Sequence, residues 1–136
     1  MSAAGEPAGF TLLEMLVILA ILALVSGIAF PALDKAMRRQ AFQADAVRVD
    51  TVLRRARAAA IARGTSVRVR AGEGGHALAG EGAAERLAGA ARVTLPAAGL
   101  AFYADGSASG GAVALRDGRL AARWRVAGAT AGIARQ

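Results

Sequence analysis

With 136 residues, the chain suffices for one small domain plus a short extra segment. Its 55% hydrophobic content overstates the core it can build, since much of that is alanine and aromatics make up only 4%. There is no cysteine, which excludes disulfides and thiolate metal sites. The net charge is +7, and all but one of the 17 basic residues are arginine, so any charged partner is expected to be acidic.

The first element is an apolar run from Phe10 to Phe30, interrupted only by Thr11, Glu14, Ser26 and Gly27. As a helix rising about 1.5 Å per residue, it spans about 30 Å, the hydrocarbon thickness of a bilayer. The spacing predicts a membrane segment. Glu14 stands one turn inside it, where a carboxylate costs free energy that a plain anchor has no reason to spend. Its natural counter-charge is an amine. Cleavage between Gly9 and Phe10 creates one at Phe10, a helical turn away on the same helix or on a neighbour.

Gly9-Phe10-Thr11-Leu12-Leu13-Glu14, the apolar helix and Pro31 beyond it resemble the class III signal of type IV pilins and type II secretion pseudopilins. The resemblance implies that residues 1–9 are a leader removed by a prepilin peptidase. It further implies that Phe10 is N-methylated and that Glu14 guides subunits into a filament. Gly9 is small enough for the peptidase to approach the backbone closely, and a side chain there is expected to block cleavage. Two simpler readings compete. Gly27-Ile28-Ala29 fits a signal-peptidase site before Phe30, and a plain signal anchor needs no cleavage. Both expect a basic start, as pilin leaders usually have too, whereas residues 1–9 contain Glu6 and neither Lys nor Arg.

Residues 31–63 read as a second, amphipathic helical segment, with Pro31 marking a kink or stop. Phe42, Ala46, Val49, Leu53, Ala56 and Ala60 recur at helical spacing and define its core face. Arg48, Arg54, Arg55 and Arg57 stand elsewhere on it, facing either solvent or an acidic partner. Gly64 fits a C-terminal cap after Arg63.

From residue 64 to 136 the period changes to two. Ser66-Val67-Arg68-Val69-Arg70 predicts a strand with Val67 and Val69 turned to the helix. The glycine-rich stretch 71–89 is a loop or a weak hairpin through His76 to Leu78, and no Lys-Ser/Thr pair makes it a phosphate loop. Strands are expected at 91–96 and 99–103. A hairpin through Ala104-Asp105-Gly106-Ser107 and Ser109-Gly110-Gly111 should join the second of these to 112–116. An Asp117-Gly118 turn then leads to an alternating strand, with Leu120, Ala122, Trp124 and Val126 buried and Arg119, Arg123 and Arg125 forming an outer ladder. Residues 133–135 make a last short strand. The fold class expected is α+β, a long N-terminal helix packed on a small antiparallel sheet domain.

The run from Phe102 through Gly111, the arginine-rich strand and the Thr130-Ala131-Gly132-Ile133 ending resemble the GspH/FimT group of minor pseudopilins. Membership implies a subunit anchored in the bacterial inner membrane, with its C-terminal domain in the periplasm. Its implied partners are other major and minor pseudopilins, the prepilin peptidase, an inner-membrane assembly platform and, before assembly, membrane lipid. The implied mechanism is mechanical, a growing pseudopilus pushing folded proteins through an outer-membrane channel.

No catalytic residue, metal ligand set or cofactor is expected. Asp105, Gly106 and Ser107 read as turn residues, because a nucleophilic serine needs a positioned base and the lone His76 lies elsewhere. Two alternatives differ in kind. One is a FimT-like type IV pilus minor pilin that binds DNA during uptake through Arg119, Arg123 and Arg125. The other is a membrane-anchored domain that never polymerises.

Overall fold

A computed structural model describes residues 10–80 and 84–136. One α-helix, α1 (Leu12–Arg63), is followed by eight strands: β1 (Val67–Ala71), β2 (Ala77–Ala79), β3 (Ala84–Arg86), β4 (Arg92–Thr94), β5 (Leu100–Phe102), β6 (Gly111–Asp117), β7 (Leu120–Val126) and β8 (Ile133–Arg135). The class is α+β. The chain divides into two compact units, Met1–Met37 and Arg38–Gln136.

In the first unit, Pro31 lies inside α1 and does not stop it. The pyrrolidine lacks the N–H that would bond four residues back, so the carbonyl of Gly27 loses its intrahelical donor while the helix continues. An 18-residue window of this helix reaches a mean hydropathy of 2.7, long and apolar enough to cross a membrane. Every described residue from Leu12 to Met37 except Ser26 is exposed, so its leucines and isoleucines find no cover within the unit.

In the second unit, all six residues of the expected helix face are buried, joined by Val52. Gly64 takes the left-handed conformation (φ 66°), and its N–H reaches back to the Ile61 carbonyl, closing α1 as a glycine cap does. Beyond it the strands form two four-stranded antiparallel sheets, not one. Their orders are β3-β2-β1-β5 and β4-β6-β7-β8. Val67, Val69, Leu100 and Phe102 from the first sheet, and Val93, Val113, Leu115 and Trp124 from the second, join the helix face in a single core.

Three strand-level expectations need correction or choice. Of the stretch 71–89, the described residues favour the hairpin alternative, since β2 pairs with β1 and with β3, burying Leu78 opposite Glu85. Strands β5 and β6 are not hairpin partners. β5 pairs with β1, Val67 opposite Phe102, while β6 pairs with β4 and β7. The return after the Asp105 turn closes only one bridge, Phe102 to Ala108. Ala108 N–H then donates to the Gly128 carbonyl at 2.7 Å, which ties the returning chain to the far end of β7. Local turn chemistry reveals where a chain reverses but not which strand it will meet next. Finally, Asp117 pairs with Leu120, so the β6–β7 turn is Gly118-Arg119, with positive φ at Gly118. Arg119 therefore belongs to the turn and not to the ladder.

Candidate functional site

The N-terminal signal is built on a helix start. Thr11 precedes Leu12, and its Oγ1 accepts the Glu14 backbone N–H at 3.2 Å, while the Thr11 carbonyl accepts the Met15 N–H at 3.2 Å. Thr11 is thus the N-cap and Glu14 the third helical residue, the Thr-x-x-Glu spacing of a capping box. Glu14 sits in the first turn of α1, where the helix dipole favours negative charge. The carboxylate is therefore partly accommodated before any partner arrives. The Thr-x-x-Glu spacing is legible in the sequence, embedded in an apolar run whose stronger signal is a membrane segment. Phe10 is exposed immediately before the helix. Gly9 and the leader lie outside the described residues.

The expected acidic-partner surface takes a different composition. On the second sheet, Arg123 and Arg125 are exposed on β7, opposite Ala114 and Ala112 of β6. Arg116 is exposed on β6, directly opposite Arg92 of β4. The outer face thus carries Arg92, Arg116, Arg123 and Arg125 among alanines, with no carboxylate at an outward position of β4, β6, β7 or β8. Like charges directly opposite one another destabilise a sheet. Arg92 could not be assigned to this face from sequence, because it lies 24 positions before Arg116 and only the β4–β6 pairing joins them.

The arginines of α1 are mostly engaged. Arg48 Nη1 donates to the Arg86 carbonyl at 3.3 Å, and Arg57 Nη2 to the Thr130 carbonyl at 3.0 Å, both tying helix to sheets. Arg54 pairs with Asp50 at 2.7 Å, and that hydrogen-bonded carboxylate holds its guanidinium pKa above the ordinary value. Asp45, unremarked in the sequence, is wholly buried. Its Oδ1 accepts the Ala88 N–H at 2.7 Å and its Oδ2 the Gly89 N–H at 3.0 Å. It fastens α1 to the segment ahead of β4.

Asp105 and Ser107 form an Asx-turn. Asp105 Oδ1 accepts both the Ser107 N–H at 2.9 Å and its hydroxyl at 2.6 Å. The Ser107 hydroxyl, more than the backbone bond, holds the Asp105 carboxyl below its ordinary pKa of 3.8. A carboxyl depressed in the folded state stabilises it above the ordinary value, and that contribution is lost as pH falls through the folded pKa. Ser107→Ala is accordingly expected to move the Asp105 titration back toward 3.8, followed by NMR of its carboxyl carbon, and to cost stability at neutral pH but not in acid. His76 Nδ1–H donates to the Ala91 carbonyl at 3.1 Å, well separated in sequence from this turn.

A protein with an apolar, N-capped helix carrying an acid in its first turn, followed by small antiparallel sheets, has the arrangement of type IV pilin-like proteins. Residues 7–30 match the family model described as the prokaryotic N-terminal methylation motif. The chain thus carries a type IV pilin-like prepilin signal. No curated protein and no solved structure matches the chain.

Proposed function

We propose that this chain is a non-enzymatic minor pseudopilin, a structural subunit of a periplasmic pseudopilus in a type II secretion system. The observation that carries the reading is the methylation-motif match over residues 7–30, coinciding with the capped start of α1 at Thr11. The peptidase cuts after Gly9, Phe10 becomes the methylated amino terminus, and Glu14 takes that amine as its counter-charge when a subunit leaves the bilayer. The exposed apolar side chains of the first unit exchange lipid for neighbouring subunits. The sheets decorate the filament, and platform and peptidase act on the anchor alone.

The N-terminal sequence and mass of the mature protein, purified from its own membranes, test this directly. A methylated Phe10 start is expected; a Phe30 start or an intact Met1 removes the filament mechanism. Glu14→Ala should leave cleavage intact and reduce recovery of the subunit in sheared filament fractions severalfold or more. Normal incorporation of that variant shows that the amine pairing is dispensable.

The four outward arginines of the second sheet favour one other reading, a pilus minor pilin that holds DNA. Such binding is expected to weaken steeply with salt as phosphate counterions are released, and indifference to salt discards it.

A further inference from the structure

The first sheet carries a basic site of its own, separate from the arginine face of the second. Arg68 and Arg70 stand on the outward side of β1, the opposite side from buried Val67 and Val69. Across from Arg68 on β5 is Ala101, and the register places Gly99 opposite Arg70 and Tyr103 opposite Ser66. Small residues beside both arginines leave a hollow of about 300 Å³, lined by Ser66, Arg68, Arg70, Ala101 and Tyr103 among others. Gly99 explains why the two stems come together. A Cβ at Gly99 would lie 2.9 Å from Arg70 Cγ and 3.2 Å from Arg68 Cγ, so both stems crowd over one bare backbone position.

Both arginines line that one hollow, and no carboxylate lines it among the described residues. Among the described residues neither arginine is in an ion pair, in contrast to Arg54 on α1. The remaining polar side chains at the rim, the hydroxyls of Ser66 and the half-exposed Tyr103, can both donate. One guanidinium fork suffices for a carboxylate. Two forks with two hydroxyls offer more donors than a carboxylate can accept, but match the three terminal oxygens and double charge of a phosphate monoester.

We infer that the Ser66–Arg68–Arg70–Tyr103 hollow is a binding site for a phosphate-type oxyanion, either a soluble phosphate or a phosphomonoester headgroup. Arg68 and Arg70 supply the charge and the forked contacts, Gly99 allows their stems to converge, and the Tyr103 ring walls one end. The site is independent of the filament reading, since it uses no residue of the anchor or the second sheet's arginine face.

The test uses the full chain in neutral maltoside micelles, following backbone amide shifts by NMR. Inorganic phosphate or glycerol 3-phosphate is added against sodium chloride of matched ionic strength. Saturable shifts at residues 66–70, 99 and 103 are expected, absent with chloride, lost in the R68Q/R70Q variant and kept in R123Q/R125Q. Arg68→Lys, which retains charge but loses the fork, should bind more weakly than wild type. Saturation by inorganic phosphate identifies a soluble ligand, and saturation by glycerol 3-phosphate alone identifies a headgroup. Overturning results are shifts that chloride reproduces, shifts that survive R68Q/R70Q, no saturation with either phosphate, or tighter binding of a single-stranded oligonucleotide, which assigns the hollow to nucleic acid.

Discussion

Asp45→Ala is expected to destabilise the second unit by about 3 kcal/mol, the largest effect of any single polar substitution in it. The carboxylate is fully buried and accepts two backbone N–H groups, from Ala88 and Gly89. Truncation leaves both donors unpaired in a dry site, each costing about 1–3 kcal/mol, and takes from Arg48 the carboxylate 3.6 Å from its Nη1. The loop passes close to it: a Cβ at Gly89 would lie 3.0 Å from Asp45 Oδ2, so a side chain there would make the carboxylate shift by a few tenths of an ångström. Asp45→Asn separates charge from shape. Its amide keeps one acceptor but turns an NH₂ toward the second N–H, so it should recover less than half the loss. Urea unfolding followed by the single tryptophan, with hydrogen exchange at Ala88 and Gly89, measures both. A loss below about 1 kcal/mol for Asp45→Ala would mean that the segment ahead of β4 is held by its apolar contacts, Leu87 and Ala91, and not by the carboxylate.

That clip illustrates which parts of this molecule can be read from its sequence. The helix face from Phe42 to Ala60 and the alternation from Leu120 to Val126 are local, periodic patterns, and the burial follows both, with Leu120 half-buried at the start of its strand. Gly64 as a cap is equally local. Asp45 carries no such mark. It stands at the edge of the apolar face, three residues after Phe42 and four before Val49, but a lone acid there names no partner, and its partners lie 43 and 44 residues further on. The division of the strands between two sheets escaped for a similar reason. The β5 strand is buried on every residue, so its pattern names no outer face, and its pairing with β1 is not adjacent in sequence. The arginine surface was half legible. Arg123 and Arg125 follow from alternation, while Arg92 and Arg116 join them only through the β4–β6 register, and Arg119 leaves them because the turn begins one residue later than its Asp-Gly signal implies.

Trp124→Ala should cost about 3–5 kcal/mol, the range for removing a large ring from a packed core. Trp124 is wholly buried on β7, paired with Val113 on one side and Arg135 on the other. In a unit with few aromatics, nothing nearby is large enough to refill its space. Two lesser contributions accompany the ring. Arg135 lies 5.7 Å from its centroid, a cation–π contact worth about 0.5–1 kcal/mol at an exposed site. The indole Nε1 is buried without a hydrogen-bond partner among the described residues, which subtracts from what the side chain contributes. Trp124→Phe decides between volume and polarity. It removes the unpaired N–H and keeps most of the ring, so its loss should stay below about 1.5 kcal/mol, the usual scale of near-isosteric core exchanges. Denaturant unfolding followed by far-ultraviolet circular dichroism compares the two variants; equal losses would show that the core depends on the full indole volume, which a phenyl ring does not fill. The consequence reaches the surface. Arg123 and Arg125 flank Trp124 in sequence and stand on the opposite side of the same strand, so the position of the outer charges is set by how firmly that one ring holds β7 to the core.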